Sequence, residues 1–287
     1  MSRSFTGREP AIRASLRGSF ERLAYEVIPF KSTEAAVLAH VPRDVRLTVT
    51  ASPAKGQNVT IDLAASLAAH GYQVAPHLSA QQIRDRVHLA EIVTRCRAAG
   101  ITEVFVVGGD RTDTPTDFAD AFGLLVALHE LDSGFTSIGI AGHPEGHPDT
   151  SDDVLLEALA AKAPLATYIT TQIVFDPRVI LSWVAQIRRR GIDLPVHVGI
   201  PGVVHRQKLI RVSGALGLGE SAKFLKKQQT MFWRFFVPGG YSPAKILDGL
   251  APHLGDDDQA VQGLHVFTFN DLEPTEAWRL RTLQKLW

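Results

Sequence analysis

Cysteine is almost missing from this 287-residue chain. Cys96 stands alone, which excludes an intramolecular disulfide and a thiolate metal cluster. Its setting, Ile92-Val93-Thr94-Arg95-Cys96-Arg97, reads as a helix in which a small buried thiol packs rather than reacts. Net charge is missing as well. Thirty Lys+Arg balance thirty Asp+Glu, so bulk charge gives no ground for a nucleic-acid or an acidic partner. Long apolar runs do not occur; the apolar stretches are strand-sized and broken by charge, which argues against a membrane-spanning helix. The first twenty residues carry Arg3, Arg8, Arg13 and Arg17 among Ser and Gly without the apolar block of a secretory signal. A transit peptide shares that composition, but we read residues 1–20 as a flexible N-terminal segment and expect a soluble, cytoplasmic protein. No glycine-rich dinucleotide fingerprint follows any strand: Gly214-Ala215-Leu216-Gly217-Leu218-Gly219 has the wrong spacing and follows a helical stretch.

What is present is an alternation. Strand-like runs centre near Tyr25, Val49, Val74, Val106, Ile138, Ile173, Val198 and Val266, with a helical pattern between most of them. Ser79-Ala80-Gln81-Gln82 has capping-box spacing ahead of a helix running to Ala99, with Gly100 as its stop. Asp117 is placed to cap a helix through Leu131, Asp176-Pro177 to open one ending at Arg188-Arg189-Arg190-Gly191, and Glu273-Pro274 to open the last. Eight βα units with right-handed crossovers predict a single (β/α)8 barrel over residues 21–287. An open doubly wound sheet is the rival, weakened by the missing fingerprint. Residues 202–262, between strands seven and eight, leave room for two or three helices where one suffices elsewhere. Within them Val237-Pro238-Gly239-Gly240-Tyr241-Ser242-Pro243 reads as a turn that could also present free N–H groups to an anion.

Barrel active sites lie at the C-terminal ends of the strands. Those ends carry Glu26, Thr50, His77, Asp110, His143 to His147, Gln172 and Asn270. Singly, each has a plain structural explanation; Asp110 could cap a turn and His77 could be a hydrogen-bonded loop histidine. Together they are harder to ascribe to packing. Glu26 lies within the run Leu23-Ala24-Tyr25-Glu26-Val27-Ile28-Pro29. An unpaired buried carboxyl tends to keep its proton, as a poised general acid must. His143, His147, His197 and His205 fall on different strand ends without paired-ligand spacing, so no metal site is expected. Lys223, Lys226 and Lys227 read as a solvated helix face, with a polyanionic tail of a ligand as the alternative.

These motifs, in this order, resemble the methylenetetrahydrofolate reductase family. Tyr25-Glu26-Val27-Ile28-Pro29-Phe30-Lys31 looks like its first-strand motif. Leu47-Thr48-Val49-Thr50, Val74-Ala75-Pro76-His77-Leu78-Ser79, Gly108-Gly109-Asp110, Ala141-Gly142-His143-Pro144-Glu145-Gly146-His147-Pro148, Thr171-Gln172-Ile173-Val174-Phe175-Asp176 and Gly263-Leu264-His265-Val266-Phe267-Thr268-Phe269-Asn270 follow in the family's order. The resemblance implies reduction of 5,10-methylenetetrahydrofolate to 5-methyltetrahydrofolate, a step of one-carbon metabolism and methionine biosynthesis. By the same resemblance Glu26 is the general acid and Asp110 the anion that stabilises the developing cation and contacts the pterin. Gln172 and Asn270 join Asp110 on the folate side. Thr50, His77, Gly108, Gly109, Ala141, His143, His147 and Lys162 fall on the cofactor side.

Departures from the family pattern concern the cofactor. The family's usual bound FAD is contacted by an arginine where this chain has Gly108, and by a tyrosine where it has His143. The helix that normally faces the flavin ribose and phosphates reads Val154-Leu155-Leu156-Glu157-Ala158-Leu159-Ala160-Ala161-Lys162, with Lys162 its one cation. Losing charge-assisted hydrogen bonds of about 1.5–3 kcal/mol each weakens a pyrophosphate site by orders of magnitude. The expectation is therefore a reductase that takes hydride directly from a nicotinamide nucleotide, NADH with NADPH left open, and binds FAD weakly or not at all. The alternatives are an FAD-dependent reductase of the usual ping-pong type and a non-catalytic folate-binding accessory protein.

Overall fold

A computed structural model describes residues 9–52, 55–109, 115–147, 150–204, 243–254 and 261–287. Eight parallel strands close into one barrel in sequence order: β1 (Ala24–Val27), β2 (Arg46–Val49), β3 (Val74–Ser79), β4 (Glu103–Val107), β5 (Ser137–Gly142), β6 (Tyr168–Ile173), β7 (Val196–Pro201) and β8 (Gly263–Phe267). The ring closes where β8 pairs with β1, Val266 opposite Tyr25 and Phe267 opposite Glu26. Helices α2 (Thr33–His40), α3 (Gln57–Ala69), α4 (Arg86–Ala98), α5 (Ala121–Glu130), α6 (Asp152–Lys162) and α7 (Pro177–Arg189) each follow a strand. Helix α8 (Pro243–Leu250) precedes β8 and α9 (Leu272–Leu286) follows it. The expected (β/α)8 barrel is the observed fold. Of the extra helices expected between β7 and β8, α8 is described; residues 205–242, with Lys223, Lys226, Lys227, His205 and most of the glycine-proline turn, lie outside the described residues.

Strand alternation sorts the side chains into two sets. Tyr25, Val27, Leu47, Val49, Val104, Val106, Ile138, Ile140, Val196, Val198, Leu264 and Val266 are buried in the layer between strands and helices. The opposite parity points into the barrel and is unusually polar: Glu26, Arg46, Thr48, His77, Glu103, Tyr168, Thr170, His197 and His265. Barrel interiors are normally filled by branched apolar residues. Here Arg46 is ion-paired with Glu103. The Tyr168 and His197 rings stack at 5.0 Å, and Phe105 lies 6.2 Å from Tyr168. Gly139 makes room for those rings, since a Cβ there would come within 2.3 Å of Tyr168 and 2.5 Å of Phe105.

Three local expectations are corrected. Residues 10–20, expected within a flexible segment, belong to helix α1 (Pro10–Glu21), which buries Leu16, Ser19 and Phe20 and packs on α9. Ser79 ends β3 and caps nothing; α4 starts at Arg86, capped by Asp85, whose Oδ1 accepts from His88 N at 2.7 Å. Asp120, rather than Asp117, caps α5 by accepting from Gly123 N at 2.9 Å. Asp176 does cap α7, accepting from Arg178 N at 2.9 Å ahead of Pro177. Among the described residues, no helix is long and apolar enough to cross a membrane.

Candidate active site

The third residue of β1 anchors the site. Glu26 points into the barrel with its side chain 14% exposed, and it is not unpaired as its sequence context implied. His265 Nε2 from β8 lies 3.2 Å from Glu26 Oε2, and His77 Nε2 from β3 lies 3.7 Å from the same oxygen. Burial lowers the His77 pKa to about 4, against the pull of Glu26, so its imidazole is neutral at pH 7. His77 also packs its ring 4.7 Å from Phe105. Its contacts are thus with the acid and the barrel interior. His265 belongs to the eighth-strand motif, where its sequence context alone assigns it no role. The signal available in the sequence was closure: an inward residue on β8 must approach an inward residue on β1.

Around this cluster, buried polar atoms lack partners. His77 Nε2, Thr48 Oγ1, Thr170 Oγ1 and Ser79 Oγ make no hydrogen bond. Such groups are rare in folded interiors and mark places where a ligand or ordered water belongs.

On the far side of the mouth, β6 carries Gln172, half-buried, whose Nε2 donates to Gly146 O at 3.1 Å. The β6–β7 register slips between Thr170 and Ile173, so Gln172 sits on a bulge, a device that re-aims a side chain. Thr171 Oγ1 steadies it by accepting from Gly199 N at 2.9 Å and donating to Gln172 O at 2.8 Å. His143 and His147, in the loop after β5, face each other edge to face with ring centres 6.0 Å apart.

The other expected positions sort by location. Thr50 closes β2, with its N–H on Val27 O at 2.9 Å. Gly109 has φ +82°, and a Cβ there would lie 2.1 Å from Ser79 Oγ, so only glycine fits. Gly108 faces open space, with nothing within 4 Å of a built Cβ. Asp110 lies outside the described residues. Asn270 is 8% exposed and fully engaged: Oδ1 accepts from Ile28 N, and Nδ2 donates to Ile28 O and Thr33 Oγ1, all at 2.8 Å. Its amide ties the end of β8 to the end of β1, and both its donors are used there.

Helix α6 shows why its apolar residues are there. Leu156 and Leu159 are core, and with Leu155, Val179 and Trp183 they flank a cleft of about 460 Å³ between α6 and α7, with Ala141 and His143 at its inner edge. Lys162 is half-buried at the C-terminus of α6; burial lowers its pKa and the carboxylate of Asp120 opposes that. Lys162 is the one cation that α6 offers to a phosphate.

A single β8 barrel with a polar interior and a buried acid at its C-terminal end is the architecture of an enzyme site. The solved structures similar to this chain share the fold alone. One is the C-terminal domain of a protein described as a chitinase from Desulfitobacterium hafniense, with TM-score 0.51, 14% identity, and coverage of 93% of this chain and 99% of that one. Another is a protein described as a phosphonomutase from Burkholderia cenocepacia, with TM-score 0.50, 13% identity, and coverage of 97% and 98%.

The sequence comparisons are more specific: the family model of methylenetetrahydrofolate reductase matches residues 31–219, and the chain belongs to that family. It is 23% identical over 259 residues to methylenetetrahydrofolate reductase 2 of Saccharomyces cerevisiae, covering 81% of this chain and 40% of the yeast protein. It is 26% identical over 192 residues to methylenetetrahydrofolate reductase (NADH) 1 of Arabidopsis thaliana, covering 60% of this chain and 28% of the plant protein. The chain therefore spans well under half the length of these relatives.

Proposed function

We propose that this protein reduces the methylene bridge of 5,10-methylenetetrahydrofolate to a methyl group, with hydride taken directly from a nicotinamide nucleotide. The observation that carries this reading is Glu26: a carboxyl inside a closed barrel, beside unpartnered polar atoms and across the mouth from Gln172. Family membership supplies the reaction class. The name of the Arabidopsis relative favours NADH over NADPH.

The reaction needs a proton before it needs a hydride. Opening the five-membered ring requires protonation of the leaving nitrogen and generates an iminium at the other. Glu26 gives that proton. Gln172, aimed by the β6 bulge, offers a neutral amide to the pterin. Asp110 is assigned, by the family resemblance, the role of the anion that stabilises the developing cation. The nicotinamide nucleotide, when bound, supplies the hydride. Thr50, His143 and His147 surround the mouth where it would lie, and Asn270 supports the site from behind. FAD is left out because Gly108 offers no side chain and α6 carries no cation beyond Lys162.

Purified protein mixed with methylenetetrahydrofolate and NADH tests the reading. Folate-dependent loss of NADH, with 5-methyltetrahydrofolate identified by mass spectrometry, is the expected result. No turnover with either nucleotide, with or without added FAD, would leave a folate-binding protein rather than a reductase.

A further inference from the structure

Glu26 meets two histidines, and both approach the same oxygen. His265 Nε2 is 3.2 Å from Oε2, within hydrogen-bond reach, and His77 Nε2 is 3.7 Å away, beyond it. Among the described residues, no hydrogen bond to Oε1 is recorded. Both imidazoles are buried against a phenylalanine ring. His77 is neutral at pH 7 because burial lowers its pKa. His265, 3% exposed, is set between Glu26 and Phe267, whose ring centre lies 5.0 Å from its own. The strand register holds His265 opposite Ala24 on β1 and Gly199 on β7, two residues before Phe267, the direct partner of Glu26, so its inward side chain reaches the carboxylate diagonally.

From this geometry we propose that His265 is the positioning residue of Glu26: its Nε2–H holds Oε2 and leaves Oε1 as the oxygen that carries the proton to substrate. The proposal rests on Glu26 being the acid of the reaction proposed above. A carboxyl on a two-carbon stem would otherwise rotate among several orientations, and a misplaced proton donor loses rate steeply. Among the described residues, the remaining charged and titratable groups inside the barrel do not supply this hold. Arg46 and Glu103 pair with each other, and Tyr168 stacks with His197, whose pKa burial pushes down to about 3.

Two arms test the assignment. In the first, protein carrying ¹⁵N-histidine is compared with its Glu26→Gln variant by NMR. The His265 Nε2 resonance should move clearly, and by more than that of His77, because it alone makes the hydrogen bond. An unmoved His265 signal overturns the proposal. In the second, His265→Phe should lower kcat by about 10–100-fold with little change in KM for the nucleotide, while His265→Gln, whose amide can still donate to Oε2, should recover most of the loss. Both variants must keep the thermal midpoint of a folded barrel; if Phe fails to fold, Gln against His265→Leu gives the same contrast. Equal loss in the donor and non-donor variants would reduce His265 to packing. The NMR arm does not need turnover: a protein without reductase activity whose His265 signal still answers to Glu26→Gln would sink the functional reading and keep the pairing.

Discussion

At the scale of single residues, the site is a set of buried polar groups held in unequal states. Glu26→Gln conserves volume and keeps a polar group facing His265, so the fold should survive while turnover falls by roughly 10²–10⁴-fold through loss of the acid. Steady-state rates and a thermal melt on the same preparation check this, and near wild-type turnover would remove Glu26 from the chemistry. His77 and His197 lead to a prediction about pH. Both have folded pKa values below the ordinary histidine value of 6.5, at about 4 and about 3, chiefly from burial. A depressed folded pKa contributes stability that is present above pH 6.5 and is lost as pH falls through the folded value. For His77 the full effect is about 3 kcal/mol. Urea midpoints measured from pH 7.5 down to 4 should therefore decline, and His197→Phe, which cannot take up a proton, should flatten the decline. A profile flat from pH 7 to 4.5 in the wild type would mean that neither ring is as enclosed as the structure has it.

Elements were more legible in the sequence than their ends. All eight strands and the barrel follow from short apolar runs alternating with helical patterns, because a buried parallel strand leaves a strong local signal. Cap residues were less readable. Ser79 has capping-box spacing, but its backbone is already committed to β3, and tertiary pairing overrides the local pattern. Of the site, the strand-end residues stood out, since position along a strand is readable. The His265 contact and the double use of Asn270 were not, because closure brings β8 beside β1 without saying which side chains bond across it. Asn270 makes the point testable. Replacing it with Ala strips Ile28 N–H of its partner inside the protein, while Ile28 O keeps Phe30 N and Thr33 Oγ1, and should cost about 1–3 kcal/mol. If Asn270 instead served mainly to bind folate, Asn270→Ala would raise KM for folate without lowering the melting temperature. We expect the reverse order of effects.

For the whole molecule, closure of the barrel is reinforced from outside by the two terminal helices. Tyr25 on β1 donates to Glu276 Oε2 on α9 at 2.8 Å, and Arg279 pairs with Glu276 at 2.9 Å and reaches Phe20 O on α1. Burial and the adjacent carboxylate raise the Tyr25 pKa, so the phenol remains a donor. Glu276→Ala would leave Arg279 charged and unpaired in a buried place, and should destabilise by about 3–5 kcal/mol. A denaturation midpoint within error of wild type would show that α9 is only loosely joined to the barrel. The same architecture bears on the cofactor. The helix that would have to meet flavin phosphates has its leucines committed to the core and to the α6–α7 cleft, and Lys162 is its single cation. Protein purified without flavin should therefore be colourless and still oxidise NADH with methylenetetrahydrofolate. Direct transfer requires both substrates on the protein together, so reciprocal plots at several fixed folate concentrations should intersect. Exchange through a bound flavin predicts parallel lines, because the nucleotide leaves before folate arrives. Yellow protein with parallel lines, or colourless protein that works only once FAD is added, would overturn direct transfer while leaving Glu26 and Gln172 in their proposed roles, since the folate half of the reaction needs the same acid and the same amide whichever group delivers the hydride.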